Sequence, residues 1–138
     1  MRWLLAAVFA LAPATGMAKG CDRPVPIRFS PGASQGSAEG VVVRGGRDCF
    51  VVTGRAGQTM RVEVHVPEEN VVFQLYAPGW RIARAASGVR ALGDSLPGAA
   101  EGQDARSWEG QLKASGPHLI MLGGTQGNAA YYLTVSIR

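Results

Sequence analysis

The sequence predicts an all-β protein: an antiparallel β-sandwich, jelly-roll-like, of about eight short strands. Three observations predict it. Apolar and polar residues alternate with period two over Thr59 to Val66 and over Tyr131 to Arg138, as half-buried strands require. Turn signals built from Gly, Asn and Pro recur at roughly 8–12-residue intervals, the spacing of sandwich folds. No heptad, helical repeat or low-complexity tract is present, and the glycine spacing works against long helices.

The chain opens with Arg2, an apolar run from Trp3 to Ala12 too short to span a bilayer, and the small residues of Gly16-Met17-Ala18. That order predicts a signal peptide over residues 1–18 and a single domain over 19–138, periplasmic or secreted. No later apolar run reaches ~18 residues, so no membrane span is expected. A domain of this size buries roughly two-thirds of its unfolded surface, enough for a core without a metal. The two cysteines, Cys21 and Cys49, form an even count in an exported chain, which predicts one disulfide. Cys21 could instead accept a lipid, but Ala18-Lys19-Gly20 before it places a charge where such sites carry small neutral residues.

The strands follow in order. Ile27 and Phe29 sit in a short first strand, and Ser30 to Gly40, rich in Gly, Ser and Ala, reads as a loop. Val41 to Val43 is a short apolar run, and Gly45-Gly46-Arg47-Asp48 turns the chain into Cys49 to Thr53. After the turn Ala56-Gly57-Gln58, Met60, Val62, Val64 and Val66 form a core face, with Thr59, Arg61, Glu63 and His65 opposite. Val71 to Ala77 ends at Pro78-Gly79. Trp80 to Gln103 breaks the rhythm and reads as a long irregular loop, with room for a helical turn over Arg81 to Ala86. Three strands follow from about Arg106, separated by Ser115-Gly116-Pro117 and by a glycine-rich hairpin loop, Gly123 to Asn128.

Charge and spacing exclude several chemistries. The net charge of +4 is mild and its arginines are scattered, without the basic stripe and aromatic platforms of a nucleic-acid surface. His65 and His118 lie far apart, so no metal site is expected, and no cofactor either. Glu101, Asp104 and Glu109 lack calcium-loop spacing and read as a solvated acidic loop around Arg106. Ser115 is not in a nucleophile elbow, and the Gly123–Asn128 loop lacks the lysine and following helix of a phosphate loop. The chain therefore reads as a binding protein and not an enzyme. Trp108 shares parity with Gly110 and Leu112 and is assigned to the core. Trp80, after Pro78-Gly79, is the candidate exposed contact.

The segments R-F-S-P-G-A-S, A-G-Q-T-M-R-V-E-V, V-F-Q-L-Y-A-P-G, W-E-G-Q-L-K-A-S-G and G-G-T-Q-G-N-A-A-Y-Y-L-T-V-S-I carry a resemblance. In that order they resemble bacterial pre-peptidase C-terminal-like domains and the periplasmic inhibitors of g-type lysozyme. The resemblance covers most of Ile27 to Arg138. It implies a β-sandwich that pushes a loop into an acidic catalytic cleft and offers cationic or hydrogen-bonding groups to the carboxylates. Lysozyme inhibitors carry an S-G-x-Y motif; here it reads Ser115-Gly116-Pro117-His118, with His in the Tyr place. Gln126 stands where the inhibitors have Arg in the final loop. Ser115, Gly116, His118, Gln126 and Asn128 are thus candidate contacts of low charge, and Arg44, Arg47 or Arg106 would supply the cation.

Three readings result, of which the third, a small hydrolase, would need a pocket holding two carboxylates or a Ser–His pair. The first is a lysozyme-inhibitor-like module with a protein partner, a lysozyme, bound at an edge formed by Ser115 to His118 and the Gly123–Asn128 loop. The second is a pre-peptidase-like accessory domain that binds cell-wall glycan through exposed aromatics such as Trp80. In the first, changes at Arg106 or His118 are expected to leave folding intact.

Overall fold

A computed structural model describes residues 20–68, 70–86 and 88–138. The expected signal peptide lies outside the described residues. Ten strands occur among those described: β1 (Val25–Pro26), β2 (Gln35–Val42), β3 (Arg47–Gly54), β4 (Thr59–His65), β5 (Val71–Tyr76), β6 (Arg81–Ala85), β7 (Gly88–Leu92), β8 (Ser107–Gln111), β9 (Gly116–Gly124) and β10 (Ala129–Ile137). They form an all-β sandwich. One sheet has the order β1-β3-β9-β5 and the other β2-β10-β4-β8. Pairing is antiparallel except between β1 and β3.

The period-two faces point as the sequence requires. Met60, Val62 and Val64 of β4 and Tyr131, Leu133, Val135 and Ile137 of β10 meet Phe50, Val52, Phe73, Leu75, Ile120 and Leu122 of the opposing sheet in one core. Trp108 packs against that core, and its Nε1–H donates to the Pro97 carbonyl at 2.8 Å.

β1 forms at Val25–Pro26, just before the Ile27 and Phe29 expected in a first strand, and the two strands beyond the expected eight are β6 and β7. They pair as a hairpin inside the stretch read as an irregular loop, Trp80 to Gln103, and Arg81 to Ala85 is extended and not helical. Its Ile82, Val89 and Ala91 cover a second, smaller core with Cys21, Cys49, Tyr76, Leu119 and Met121 on the outer face of the first sheet. This explains the uninterrupted burial of β9 from His118 to Gly123. A central strand covered on both faces loses its polar alternation. Ion pairs Arg84–Asp22 and Arg90–Glu101 fasten the hairpin to the N-terminal arm and to the loop after it. That loop caps the edge of β5, where the Phe73 and Leu75 amides donate to the carbonyls of Ala105 and Ala99.

The segment Ser30 to Gly40, expected as a loop, holds most of β2. Gly36 and Gly40 allow close packing there. A Cβ on Gly40 would stand 2.8 Å from the Tyr131 hydroxyl. Small residues in a strand look like a loop in the sequence, but here they are strand residues pressed under bulky neighbours.

Cys21 and Cys49 form the expected disulfide, and both are buried. The same sulfur of Cys21 cannot carry a thioether-linked lipid, so the bonded form is not a lipoprotein anchored at that residue.

Candidate functional site

The chain changes sheets at nearly every step. β9 pairs with β3 and β5, while β10 pairs with β2 and β4. The Gly123–Asn128 segment expected as a hairpin loop is therefore an arch joining the two sheets. Sequence alternation marks strands but not which strands pair, and four residues, Thr125 to Asn128, can cross the ~10 Å between sheets.

Arches gather at the two ends of the sandwich. At one end lie the β2–β3 connection (Val43 to Gly46), the β4–β5 connection and the β9–β10 connection. They are stitched together: the Arg44 amide donates to Asn128 Oδ1 at 2.7 Å, and the Thr125 amide to the Asn70 carbonyl at 2.8 Å. Gln126, Asn128, Arg44 and Arg106 are all exposed at this end. Arg106 belongs to it because the Val64 amide donates to its carbonyl beside the end of β4. Arg47 lies half-buried here, its Nη1 donating to the Gly46 carbonyl.

At the other end lie the β3–β4 and β8–β9 connections. The Ser115 hydroxyl accepts from the Ala56 amide at 2.9 Å, which locks these arches together. Gly116 has φ +135°, and a Cβ there would press on Pro78 at 3.1 Å, so only glycine makes this turn without strain. Trp80 is half-buried nearby, with its Nε1–H donating to the Pro117 carbonyl at 3.0 Å.

The candidate contacts therefore fall into two groups. Gln126, Asn128, Arg106 and Arg44 share one end. Ser115, Gly116 and Trp80 share the other. The nine residues of β9 separate them, roughly 27 Å of extended chain, so they do not make one edge.

His118 belongs to neither surface. It is 1 % exposed and lies opposite Val52 on the core side of β9, with Nδ1 3.0 Å from the Gly116 carbonyl. Burial pushes its pKa below the usual histidine value. A change to Asp there would bury an acid without a partner, so the expectation that it leaves folding intact does not stand. The ring serves packing where the motif has Tyr.

Beneath the first end sits a pair that the sequence did not single out. The Tyr131 hydroxyl donates to Asp48 Oδ2 at 2.7 Å, bridging the two sheets. Asp48 is 5 % exposed and also accepts from the Gly20 amide. Burial raises the carboxyl pKa despite both donors, and burial with the neighbouring carboxylate raises that of Tyr131. The pair ties the N-terminal arm, β3 and β10 together under the arches that hold Arg44 and Asn128. Among the described residues no group of His, Cys, Asp and Glu is arranged to hold a metal. No helix of the described residues is long and apolar enough to cross a membrane.

Known structures share this architecture. The periplasmic inhibitor of g-type lysozyme, PliG, from Aeromonas hydrophila superposes with a TM-score of 0.62 at 27% identity, over 83% of this chain and 96% of its own. The chain carries the fold of the periplasmic g-type lysozyme inhibitors. A PliG mutant from Escherichia coli (TM-score 0.59, 17% identity, 83% of this chain and 97% of its own) and PliG from Salmonella Typhimurium (0.57, 18%, 83% and 97%) agree in fold. No family model matches the chain, and no curated protein does so by sequence. The likeness to the inhibitors therefore stands mainly on architecture, with the Aeromonas protein alone of these three above a quarter identity.

Proposed function

We propose that this protein is a non-catalytic periplasmic binding protein that inhibits a lysozyme, by occluding the enzyme's acidic cleft with the arches that carry Arg44, Gln126, Asn128 and Arg106. The observation that supports the partner class is the 27% identity with the Aeromonas inhibitor over 83% of this chain. The residues themselves favour this end over the other. It offers two exposed arginines beside two exposed amide side chains, and the Arg44–Asn128 hydrogen bond fixes the arches relative to one another. Loops held rigid before contact lose less entropy on binding, and a guanidinium entering a carboxylate-lined cleft makes a desolvated, charge-assisted anchor. At the other end the Ser115 hydroxyl accepts from the Ala56 amide and the Trp80 indole N–H donates to the Pro117 carbonyl, so both side chains are engaged within the fold. Residues 1–18 act as the signal peptide on this reading, and 19–138 as the exported inhibitor.

The test is a side-by-side inhibition assay of the mature protein against g-, c- and i-type lysozymes. Selective inhibition of the g-type enzyme is the expected result. Inhibition of none of the three would remove the lysozyme reading.

A further inference from the structure

The two sheets differ in how their outer faces are treated. The first is roofed by the β6–β7 hairpin and the disulfide. The second, β2-β10-β4-β8, bears no covering element among the described residues, and its exposed face is polar throughout its centre. Register places Thr134 between Ser37 and Glu63, and Ser136 between Gln35 and Arg61, with Glu109 beyond Arg61. Along the middle of this face Ser37 of β2 and Thr134 and Ser136 of β10 are short and hydroxyl-bearing, while Arg61 and Glu63 of β4 and Glu109 of β8 are long and planar-ended. A low floor beside a tall wall makes a trough, and an open groove of about 620 Å³ lies there. That volume suits a small ligand.

The wall is pre-arranged. Glu63 holds the Arg61 guanidinium at 2.6 Å and faces His65 Nε2 at 3.6 Å, while the same nitrogen lies 3.4 Å from the Thr134 hydroxyl. At the end of the trough the ring of Tyr132, 44 % exposed, stands 6.2 Å from the His65 ring. Charges in the groove balance: Arg61 and Arg138 against Glu63 and Glu109. A balanced groove has no net pull on phosphate or a polyanion, and a polar floor offers nothing to a lipid chain. Paired donors and acceptors, hydroxyls and one exposed aromatic face match a ligand with many neutral hydroxyl groups and an apolar ring face. Tyr132 and Ser136 stand four residues apart along β10, roughly 14 Å at ~3.4 Å per residue, the length of a short sugar chain.

We propose that the outer face of the β2-β10-β4-β8 sheet, centred on Arg61, Glu63, Thr134 and Tyr132, binds a neutral oligosaccharide. This site is a sheet face, separate from the arches, and does not rest on the lysozyme reading. The ligand docks along the trough with its hydroxyls on Arg61, Glu63 and Glu109 and one sugar ring against Tyr132.

The experiment is an NMR titration of the mature, disulfide-bonded protein with chitotetraose, maltotetraose and a sulfated heparin tetrasaccharide, up to about 10 mM, which spans weak affinities. Expected is saturable binding of a neutral tetrasaccharide, with amide shifts on β4 and β10. Arg61→Ala and Tyr132→Ala, checked for unchanged circular dichroism, should each weaken it about tenfold or more. Should Tyr132→Ala not fold, Glu109→Gln on the edge strand β8 takes its place. No binding of either neutral sugar overturns the proposal. So does binding that both variants retain, and so does preference for the sulfated chain, which would mark an anion site. Lysozyme inhibition measured on the same variants should be unchanged, so failure of one function is read apart from the other.

Discussion

At the scale of single residues, burial decided what sequence types could not. Asp48 sits in a Gly-Gly-Arg-Asp turn signal, and His118 begins a strand while occupying the motif position that made it a candidate contact. Both are buried, because each lies on the core-facing side of a central strand. Nothing in one sequence distinguishes an exposed Asp after a turn from one placed opposite a tyrosine on another sheet. The consequences differ in sign with pH. The Asp48 carboxyl is held above its ordinary value by burial, so the folded state keeps its proton to higher pH than the unfolded chain. Its contribution to stability is full below the unfolded value of 3.8 and is lost as pH rises through the raised folded value. Asp48→Asn should abolish that loss, so its stability relative to the parent should rise with pH across the same interval, as urea midpoints between pH 3 and 7 would show. His118 runs the other way: its folded pKa is depressed, so stability present above the unfolded value of 6.5 is lost as pH falls. His118→Asp should destabilise by about 3 kcal/mol or more at pH 7, since an acid there has no cation to meet it. A urea midpoint equal to that of the parent would show that the site is not closed.

At the scale of elements, the strands were legible and their connections were not. Met60, Val62 and Val64 announced β4, and Tyr131 to Ile137 announced β10, because each has one dry and one wet face. The β6–β7 hairpin was missed. Its sequence, R-I-A-R-A and G-V-R-A-L, buries only Ile82, Val89 and Ala91 against a patch of sheet and so shows weak alternation. The segment expected to form the final hairpin proved to be an arch, since a four-residue polar loop serves either geometry. The disulfide was readable from cysteine count and export alone. It pins the N-terminal arm to β3 across a separation of 28 residues, which chain entropy values at roughly 3–4 kcal/mol. Reduction should lower the unfolding free energy by about that amount, and the Cys21→Ser/Cys49→Ser pair should match the reduced parent. A change below about 1 kcal/mol in urea unfolding would mean the arm is held by Asp22–Arg84 and Gly20–Asp48 without it.

At the scale of the whole molecule, β9 works as a spacer. Its length turns a sequence neighbourhood, Ser115 to Asn128, into two separate surfaces at opposite ends of the sandwich. A reading along the chain joins them because only thirteen positions separate Ser115 from Asn128; a fully extended strand keeps them roughly 27 Å apart. One rigid partner cleft can take a single end, so the two sets of variants should behave differently. Arg44→Glu reverses the charge offered to an acidic cleft, and Asn128→Ala frees the Arg44 arch by removing the acceptor of its amide. Each should weaken lysozyme inhibition about tenfold or more, an effect of the size expected when an anchor is lost or a rigid loop is loosened. The Arg44→Glu loss should shrink at high salt, since part of it is screened repulsion. Lys113→Ala and Arg55→Ala, exposed cations at the far end, should leave the inhibition constant unchanged. The opposite pattern, loss at Lys113 and Arg55 with Arg44 and Asn128 silent, would move the interface to the Ser115 end. Distance also makes the sets independent: an Arg44→Glu/Lys113→Ala double variant should show the sum of its two single effects in free energy, because sites this far apart share no contacts.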